Sequence, residues 1–374
     1  MNEVTRNILT VPAAGNFWRL RKVVRHGILA VMTLMGLSSC SGMIFDDEGN
    51  CDPYYKVRFR YDMNLKFADA FRNEVNAVTL YAVDSNGDIV WKRSESGSAL
   101  KSDGYMMDLD VPPGRYTLVA WCGDGVGSSF TVNDTDRADQ LHCVLNHRGD
   151  DNGVLTTDEH LRRLYHGRVV DVELPDRQGV HVVEMPLMKN TNTVRVVLQH
   201  LSGEPVDKDK FVFTITDRNR RMEWNNDLVD QTWVRYSACH TSAGTAGIID
   251  PGNLWQSSFS AAVAEISTGR LIAPDAGRRG PSVPDTDKPR LTVTRRDNGE
   301  VVLSVPYIDY CLMVKGRYED TDDWYEHPMS DQEYLDRQDE YNMTFFLDEG
   351  DRWLDTYIYI NSWHLVIQHT GLGD

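Results

Sequence analysis

Short runs in which apolar and polar residues alternate constrain this chain more than any other feature. Val57, Phe59 and Tyr61 alternate with Lys56, Arg58 and Arg60, and a period of two puts one set on a single face of an extended strand. Val78, Leu80 and Ala82 form a second run, which stops at Asp84-Ser85-Asn86-Gly87. Asn-Gly supplies the positive φ of a tight reversal, so Ile89-Val90-Trp91 reads as the hairpin partner. Tyr105, Met107, Leu109 and Val111 make a further run, closed by Pro112-Pro113-Gly114, and Tyr116, Leu118 and Ala120 resume the alternation.

From 124 to 164 the pattern loosens into turns, with one short helix expected over 157–164. Alternation returns at Val180 and Val182, and a new set follows Lys189: Val194, Val196 and Leu198, then Phe211, Phe213 and Ile215. Leu291 and Val293 are joined to Val301, Leu303 and Val305 through Asp297-Asn298-Gly299, and residues 278–289 read as an exposed loop rich in Pro, Gly, Asp and Ser. Ser330-Asp331-Gln332-Glu333 has the form of a capping box and predicts a helix to about Glu340. Segments 342–347, 357–360 and 363–368 read as closing strands. Many short strands, regular turns and few helices predict an all-β chain of two β-sandwich domains in tandem, with a boundary near Lys189.

The N-terminus is of another kind. Arg19, Arg21, Lys22 and Arg25 precede an apolar run from Gly27 to Leu37, and then comes Leu37-Ser38-Ser39-Cys40. The apolar run is too short for a membrane span, which needs about 20 residues, and its layout is that of a secretory signal. Leu-Ser-Ser-Cys resembles a lipobox, which implies cleavage between Ser39 and Cys40 and lipidation of Cys40. The expected organisation is a signal peptide at 1–39, a tether at 40–54, and domains at 55–189 and 190–374. The acidic run Asp46-Asp47-Glu48 behind the cysteine resembles a surface-export signal of Bacteroidota lipoproteins.

The whole chain carries 39 basic and 56 acidic residues, a net charge of −17. Residues 1–39 hold five basic and one acidic residue, so the chain from Cys40 onward has 34 against 55, or −21. That sign disfavours nucleic acid and anionic membrane surfaces as partners. Five cysteines remain beside Cys40, at irregular spacing, which is no disulfide framework.

No motif marks a catalytic centre: G-x-S-x-G, H-E-x-x-H and a P-loop are all missing. Arg148 stands where a calcium loop needs an oxygen ligand, although Asp150, Asn152, Gly153 and Glu159 follow at the right offsets. His142-Cys143, His147 and Cys239-His240 lack zinc-site spacing, so neither a metal nor a cofactor is expected. Gly123, Gly125 and Gly127 read as a flexible loop. Trp224, Trp233, Trp255 and Trp324 fall in loop-like segments, where an indole packs into a core or stacks on a sugar ring.

Three segments carry a family resemblance. Cys51-Asp52-Pro53-Tyr54-Tyr55-Lys56-Val57-Arg58-Phe59-Arg60-Tyr61 is the first, and Pro113-Gly114-Arg115-Tyr116 leading to Ala120-Trp121-Cys122-Gly123 is the second. Leu335-Asp336-Arg337-Gln338-Asp339-Glu340-Tyr341-Asn342-Met343-Thr344-Phe345-Phe346-Leu347, continued by Trp353 and Ile360-Asn361-Ser362-Trp363, is the third. Together they resemble the FimB/Mfa-type anchor and accessory subunits of type V fimbriae of Bacteroidota, and the Pro-Gly-x-Tyr hairpin resembles that of transthyretin-like sandwich modules. The resemblance implies two transthyretin-like (Ig-like) β-sandwich domains and no enzymatic activity. It further implies an outer-membrane, surface-exposed lipoprotein with fimbrial stalk and accessory subunits as partners, met through strand addition. In polymerising subunits of this class an N-terminal strand is lost after a basic residue, so Arg58 and Arg60 are positions to inspect. The second reading is a glycan-binding surface lipoprotein of a nutrient-uptake system, resting on the loop tryptophans.

Overall fold

The computed structural model describes residues 52–125, 127–151, 154–230, 232–248, 257–274, 287–315, 329–361 and 363–366. In strand β1, Pro53–Arg60, the alternation has its expected consequence: Tyr55, Val57 and Phe59 are buried, while Tyr54, Arg58 and Arg60 face solvent. A one-turn helix α1 (Phe71–Glu74) leads to the hairpin of β2 (Ala77–Val83) and β3 (Ile89–Ser96), whose turn holds Gly87 at φ 83°. Next come β4 (Met107–Leu109) and β5 (Gly114–Gly123), then the short strands β6 (Phe130–Val132), β7 (His142–Leu145), β8 (Gly149–Asp151) and β9 (Val154–Thr157). Two long strands follow, β10 (Leu164–Leu174) and β11 (Gly179–Lys189). Seven of these strands form one sheet in the order β3-β2-β5-β10-β11-β1-β4. Within it β1 runs parallel to β11 along all eight of its residues and antiparallel to β4.

After Lys189 the chain forms β12 (Asn192–His200), β13 (Phe211–Asp217), β14 (Arg221–Glu223), β15 (Val234–Ser237), β16 (His240–Ile248) and β17 (Ser257–Thr268). It continues with β18 (Arg290–Arg295), β19 (Val301–Pro306), helices α2 (Tyr307–Leu312) and α3 (Asp331–Arg337), and strands β20 (Glu340–Leu347), β21 (Trp353–Ile360) and β22 (Trp363–Val366). One six-stranded sheet has the order β16-β17-β12-β20-β21-β22 and another β19-β18-β13-β15-β9-β8, with a small sheet β14-β7-β6 beside them. The chain is all-β in class. The capping box works as expected, since the Ser330 hydroxyl accepts from the Glu333 amide at 3.1 Å.

The helix expected over 157–164 does not form. Ser129 Oγ accepts from the Arg162 amide at 2.9 Å, and Asp124 takes both the Arg163 amide and its guanidinium, at 2.9 and 2.8 Å. Leu161 and Leu164 are buried at the same time. Side chains distant in sequence thus satisfy the donors that a helix would have used internally. The strand expected to run from Tyr105 to Val111 is only the three residues of β4.

Two hydrophobic cores result. The smaller gathers Tyr55, Val57 and Phe59 of β1 with Leu80, Leu118, Ala120, Tyr165 and Met185. Rings of Phe59, Phe71 and Tyr105 lie stacked with centroids 5.6–6.4 Å apart. The larger core takes the opposite faces of the same central strands, through Tyr81, Val83, Val119 and Trp121, and joins them to Val196, Phe213, Ile266 and Phe345. Phe130 of β6, Leu141 and Leu145 of β7 also belong to it. Strands β8 and β9, from ahead of Lys189, extend the sheet built from β13, β15, β18 and β19.

Buried polar groups tie the two parts together. His166, on β10, places its ring edge-on to Trp121 with centroids 4.6 Å apart and donates from Nε2 to the Trp224 carbonyl at 2.9 Å. Burial pushes its imidazole down to about 4. Arg337 donates to the Asp62 carbonyl at 3.2 Å, and within the second part Arg270 forks onto Asp336 at 3.1–3.2 Å. Lys189, between the two sets of strands, pairs with Asp339 and with Glu74, the latter at 3.5 Å. In the larger core the fully buried Asp217 accepts from Tyr307 at 2.7 Å, and burial raises its carboxyl to about 6.

Two predictions follow from this packing. Phe59→Ala removes a ring from the aromatic stack and should cost about 3–5 kcal/mol of unfolding free energy, measured by urea denaturation; a loss below about 1 kcal/mol would mean that β1 is not integral to the core. The buried titratable groups give opposite pH signatures. The native His166 binds fewer protons than the unfolded one between about 4 and 6.5, so its contribution to stability is lost as pH falls through that window. The native Asp217 binds more protons between 3.8 and about 6, so its contribution is lost as pH rises. Stability differences between wild type and His166→Gln, and between wild type and Asp217→Asn, should each change by roughly 3 kcal/mol across these windows, with opposite slopes.

Candidate functional site: tether and strand edges

The residues singled out at the N-terminus, Ser39 and Cys40, lie outside the described residues. The body is entered at Pro53, thirteen residues after Cys40. That distance spans at most about 45 Å of extended chain. Strand β1, which begins there, is an inner one, paired to β11 on one side and β4 on the other. Arg58 and Arg60 lie within it: Arg60 binds Glu184 at 3.2 Å and Asp62 at 2.8 Å, and Arg58 binds Glu184 at 3.5 Å. Cleavage after either would need that stretch to leave β11, to which both residues pair, because a protease takes its substrate extended and unpaired. Cleavage after Arg58 would also strip Tyr55 and Val57 from the smaller core, and cleavage after Arg60 would strip Phe59 as well.

Partner strands can add only where a sheet ends, and the edges here differ in kind. Edge strand β3 carries Lys92, Arg93 and Glu95; β4, β6, β8 and β14 are three residues each and β22 four; β19 ends in Pro306. Charge, brevity and proline all obstruct strand addition. Edge strand β16 has none of these. Its nine residues, His240-Thr241-Ser242-Ala243-Gly244-Thr245-Ala246-Gly247-Ile248, hold no Asp, Glu, Lys, Arg or Pro, and all nine pair with β17 on one side. Sequence reading passed over β16 because its small residues carry no apolar alternation. The available signal was the uninterrupted Thr/Ser/Ala/Gly run.

The calcium-like loop, the cysteines and Gly123 resolve into structural roles. Arg148 pairs with Glu159 at 2.7 Å and with Asp158 at 3.3 Å, so the cation at the head of the calcium-like loop neutralises the acid at its end. The Arg148-Gly149-Asp150 tripeptide runs from that ion pair into β8. Cys143, on β7, is buried, which pushes its thiol above its ordinary value, whereas Cys239 hydrogen-bonds Glu265 beside another sheet. Among the described residues no group of three or more His, Cys, Asp or Glu could hold a metal ion, and Cys122, Cys143, Cys239 and Cys311 are free thiols. Gly123 is not part of a flexible loop: it closes β5, and a side chain there would strike the Arg163 carbonyl. Trp224 and Trp233 are half-buried and each is covered by a guanidinium, Arg168 at 4.6 Å and Arg218 at 4.0 Å. Trp255 and Trp324 lie outside the described residues. No helix among the described residues is long and apolar enough to cross a membrane.

Comparison with known proteins places this architecture. The family model of the fimbrillin-A associated anchor proteins Mfa1 and Mfa2 matches residues 47–369. A candidate adhesin from Bacteroides thetaiotaomicron has a similar solved structure, with 34% identity and a TM-score of 0.70 over 85% of this chain and 99% of that one. A candidate polysaccharide-binding protein from the same species is 27% identical, with a TM-score of 0.67 over 84% of this chain and 98% of that one. The fimbrial anchor protein Mfa2 from Porphyromonas gingivalis shares the fold at 15% identity, with a TM-score of 0.58 over 85% of this chain and 100% of that one. No curated protein matches. The chain belongs to the fimbrillin-A associated anchor protein family, a family of fimbrial structural proteins rather than enzymes.

Proposed function

We propose that this chain is a surface lipoprotein that holds a fimbrium to the outer membrane. Lipid on Cys40 enters the membrane, residues 40–54 form the tether, and two β-sandwich domains joined near Lys189 form the body. One acyl chain gives marginal attachment, at about 0.8 kcal/mol per buried CH₂, so a multiply acylated Cys40 suits a permanent anchor. The observation that carries the reading, within the family, is where the tether ends. It runs into a strand that is paired on both sides and has one face in the smaller core. A pull on the N-terminus then acts along the eight-residue parallel ladder between β1 and β11, whose bonds share the load instead of opening singly. The neighbouring subunit is met by strand addition at the unguarded edge of β16, where main-chain hydrogen bonds give affinity and alternate side chains give register.

Metabolic labelling with radioactive palmitate should mark the protein, and Cys40→Ala should abolish the label and release both protein and fimbriae from the outer-membrane fraction. Retention of the unlabelled variant in that fraction would refute lipid anchoring. Ser242→Lys with Ala243→Lys puts a cation on each face of β16 without touching either core. The double variant should keep its melting temperature within a few degrees, since it alters surface positions only, yet lose co-purification with sheared fimbriae. Unchanged co-purification would move the docking edge away from β16.

A further inference from the structure

A pocket of about 200 Å³ opens into the larger core beside the end of β13 and the start of α2. It is below the roughly 300–1,000 Å³ usual for drug-sized ligands, and of a size for a single ring. One wall is apolar and stiff, built from Trp233 with Pro274, Pro289 and Pro306. Proline rings fix their own backbone φ, so this wall loses little freedom when something lies against it. Leu228, Ile272, Ala273 and Ile308 add to the apolar lining, and the polar lining is charged throughout. Arg218 lies 4.0 Å over the Trp233 ring and 3.9 Å from Asp287, and Lys288 binds Asp309 at 2.6 Å. Behind them Asp217 accepts from the Arg218 amide and from Tyr307, both at 2.7 Å.

The chemistry of this lining selects a ligand class. Three carboxylates stand against two cations, each cation already beside a carboxylate, so an anionic ligand would meet net repulsion. A wholly apolar ligand would strip water from four charged groups, Arg218, Asp287, Lys288 and Asp309, and return no hydrogen bonds, a costly exchange. A neutral ring bearing several hydroxyls satisfies both walls. Its hydroxyls donate to Asp287 and Asp309 and accept from Lys288 and Arg218, while its C–H face rests on the indole and the prolines. We propose that this pocket binds one neutral pyranose ring, either as a free sugar or as the terminal residue of a glycan. The site is separate from the tether and from β16, and does not depend on the fimbrial reading.

The test is saturation-transfer NMR on the purified full-length protein with methyl glycosides of glucose, galactose, mannose and N-acetylglucosamine, and with glucuronate as the anionic control. At least one neutral glycoside should bind saturably in the millimolar range, and glucuronate should bind roughly tenfold more weakly or not at all. Trp233→Ala and Asp309→Asn should each weaken binding by roughly tenfold or more. Trp233→Phe keeps a ring on the wall and guards against loss of folding; it should retain part of the affinity. A tetrasaccharide ending in the same sugar distinguishes the sources: equal or tighter binding assigns a glycan terminus, and weaker binding assigns a free sugar. Absence of any binding by the four glycosides, a preference for glucuronate, or affinity unchanged in both Trp233→Ala and Asp309→Asn would each overturn the assignment.

Discussion

Strands β2, β5 and β10 form a wall with a hydrophobic core on each side, and the rest of the structure depends on it. Leu80, Leu118, Ala120 and Tyr165 point into the smaller core, while Tyr81, Val119, Trp121 and Leu164 point into the larger one. A two-residue period sends neighbours to opposite faces, so a strand that is apolar at every position serves two cores at once. Strand β5 shows this in its last six residues, Leu118 to Gly123, all buried. Neither core can be opened without exposing a face of the same strands.

That shared wall explains the polar ties around it. His166 can remain neutral and buried because Trp121 and the Trp224 carbonyl come from opposite sides of the boundary to meet it. The Lys189 cluster is likewise made across the boundary, by Glu74 on one side and Asp339 on the other. Partly buried ion pairs add little net stability but are costly to break singly, so they define one relative arrangement of the parts. For a fimbrial structural protein, a single arrangement is the useful property.

Much of the fold was legible in the chain. Alternation located β1, β2, β12, β13, β18 and β19, Asn-Gly and Asp-Asn-Gly located their turns, and Ser330 located α3 through its cap. These signals work because they are local: each depends on backbone geometry within a few residues. The failures were equally physical. The stretch 157–164 reads as helix by local composition but is held extended by Asp124 and Ser129, and Gly123 reads as loop although its lack of a side chain is what lets β10 approach β5. Strand β16 shows no alternation, because threonine, serine, alanine and glycine have little apolar contrast, and its signal was the unbroken run of these small residues.

By itself the sequence determined the all-β class, the family, the acidic surface and the absence of a catalytic motif, since each is a matter of composition, period or motif. Only the tertiary structure decided that the loops before Lys189 belong to the larger core, that β1 is an inner strand and β16 an open edge, and that Trp233 meets Arg218 beside a ring-sized pocket. The reason is that strand order and side-chain meetings across a sandwich are made between residues tens to hundreds of positions apart. Local periodicity states which face of a strand is buried, and is silent on which strand lies next to it.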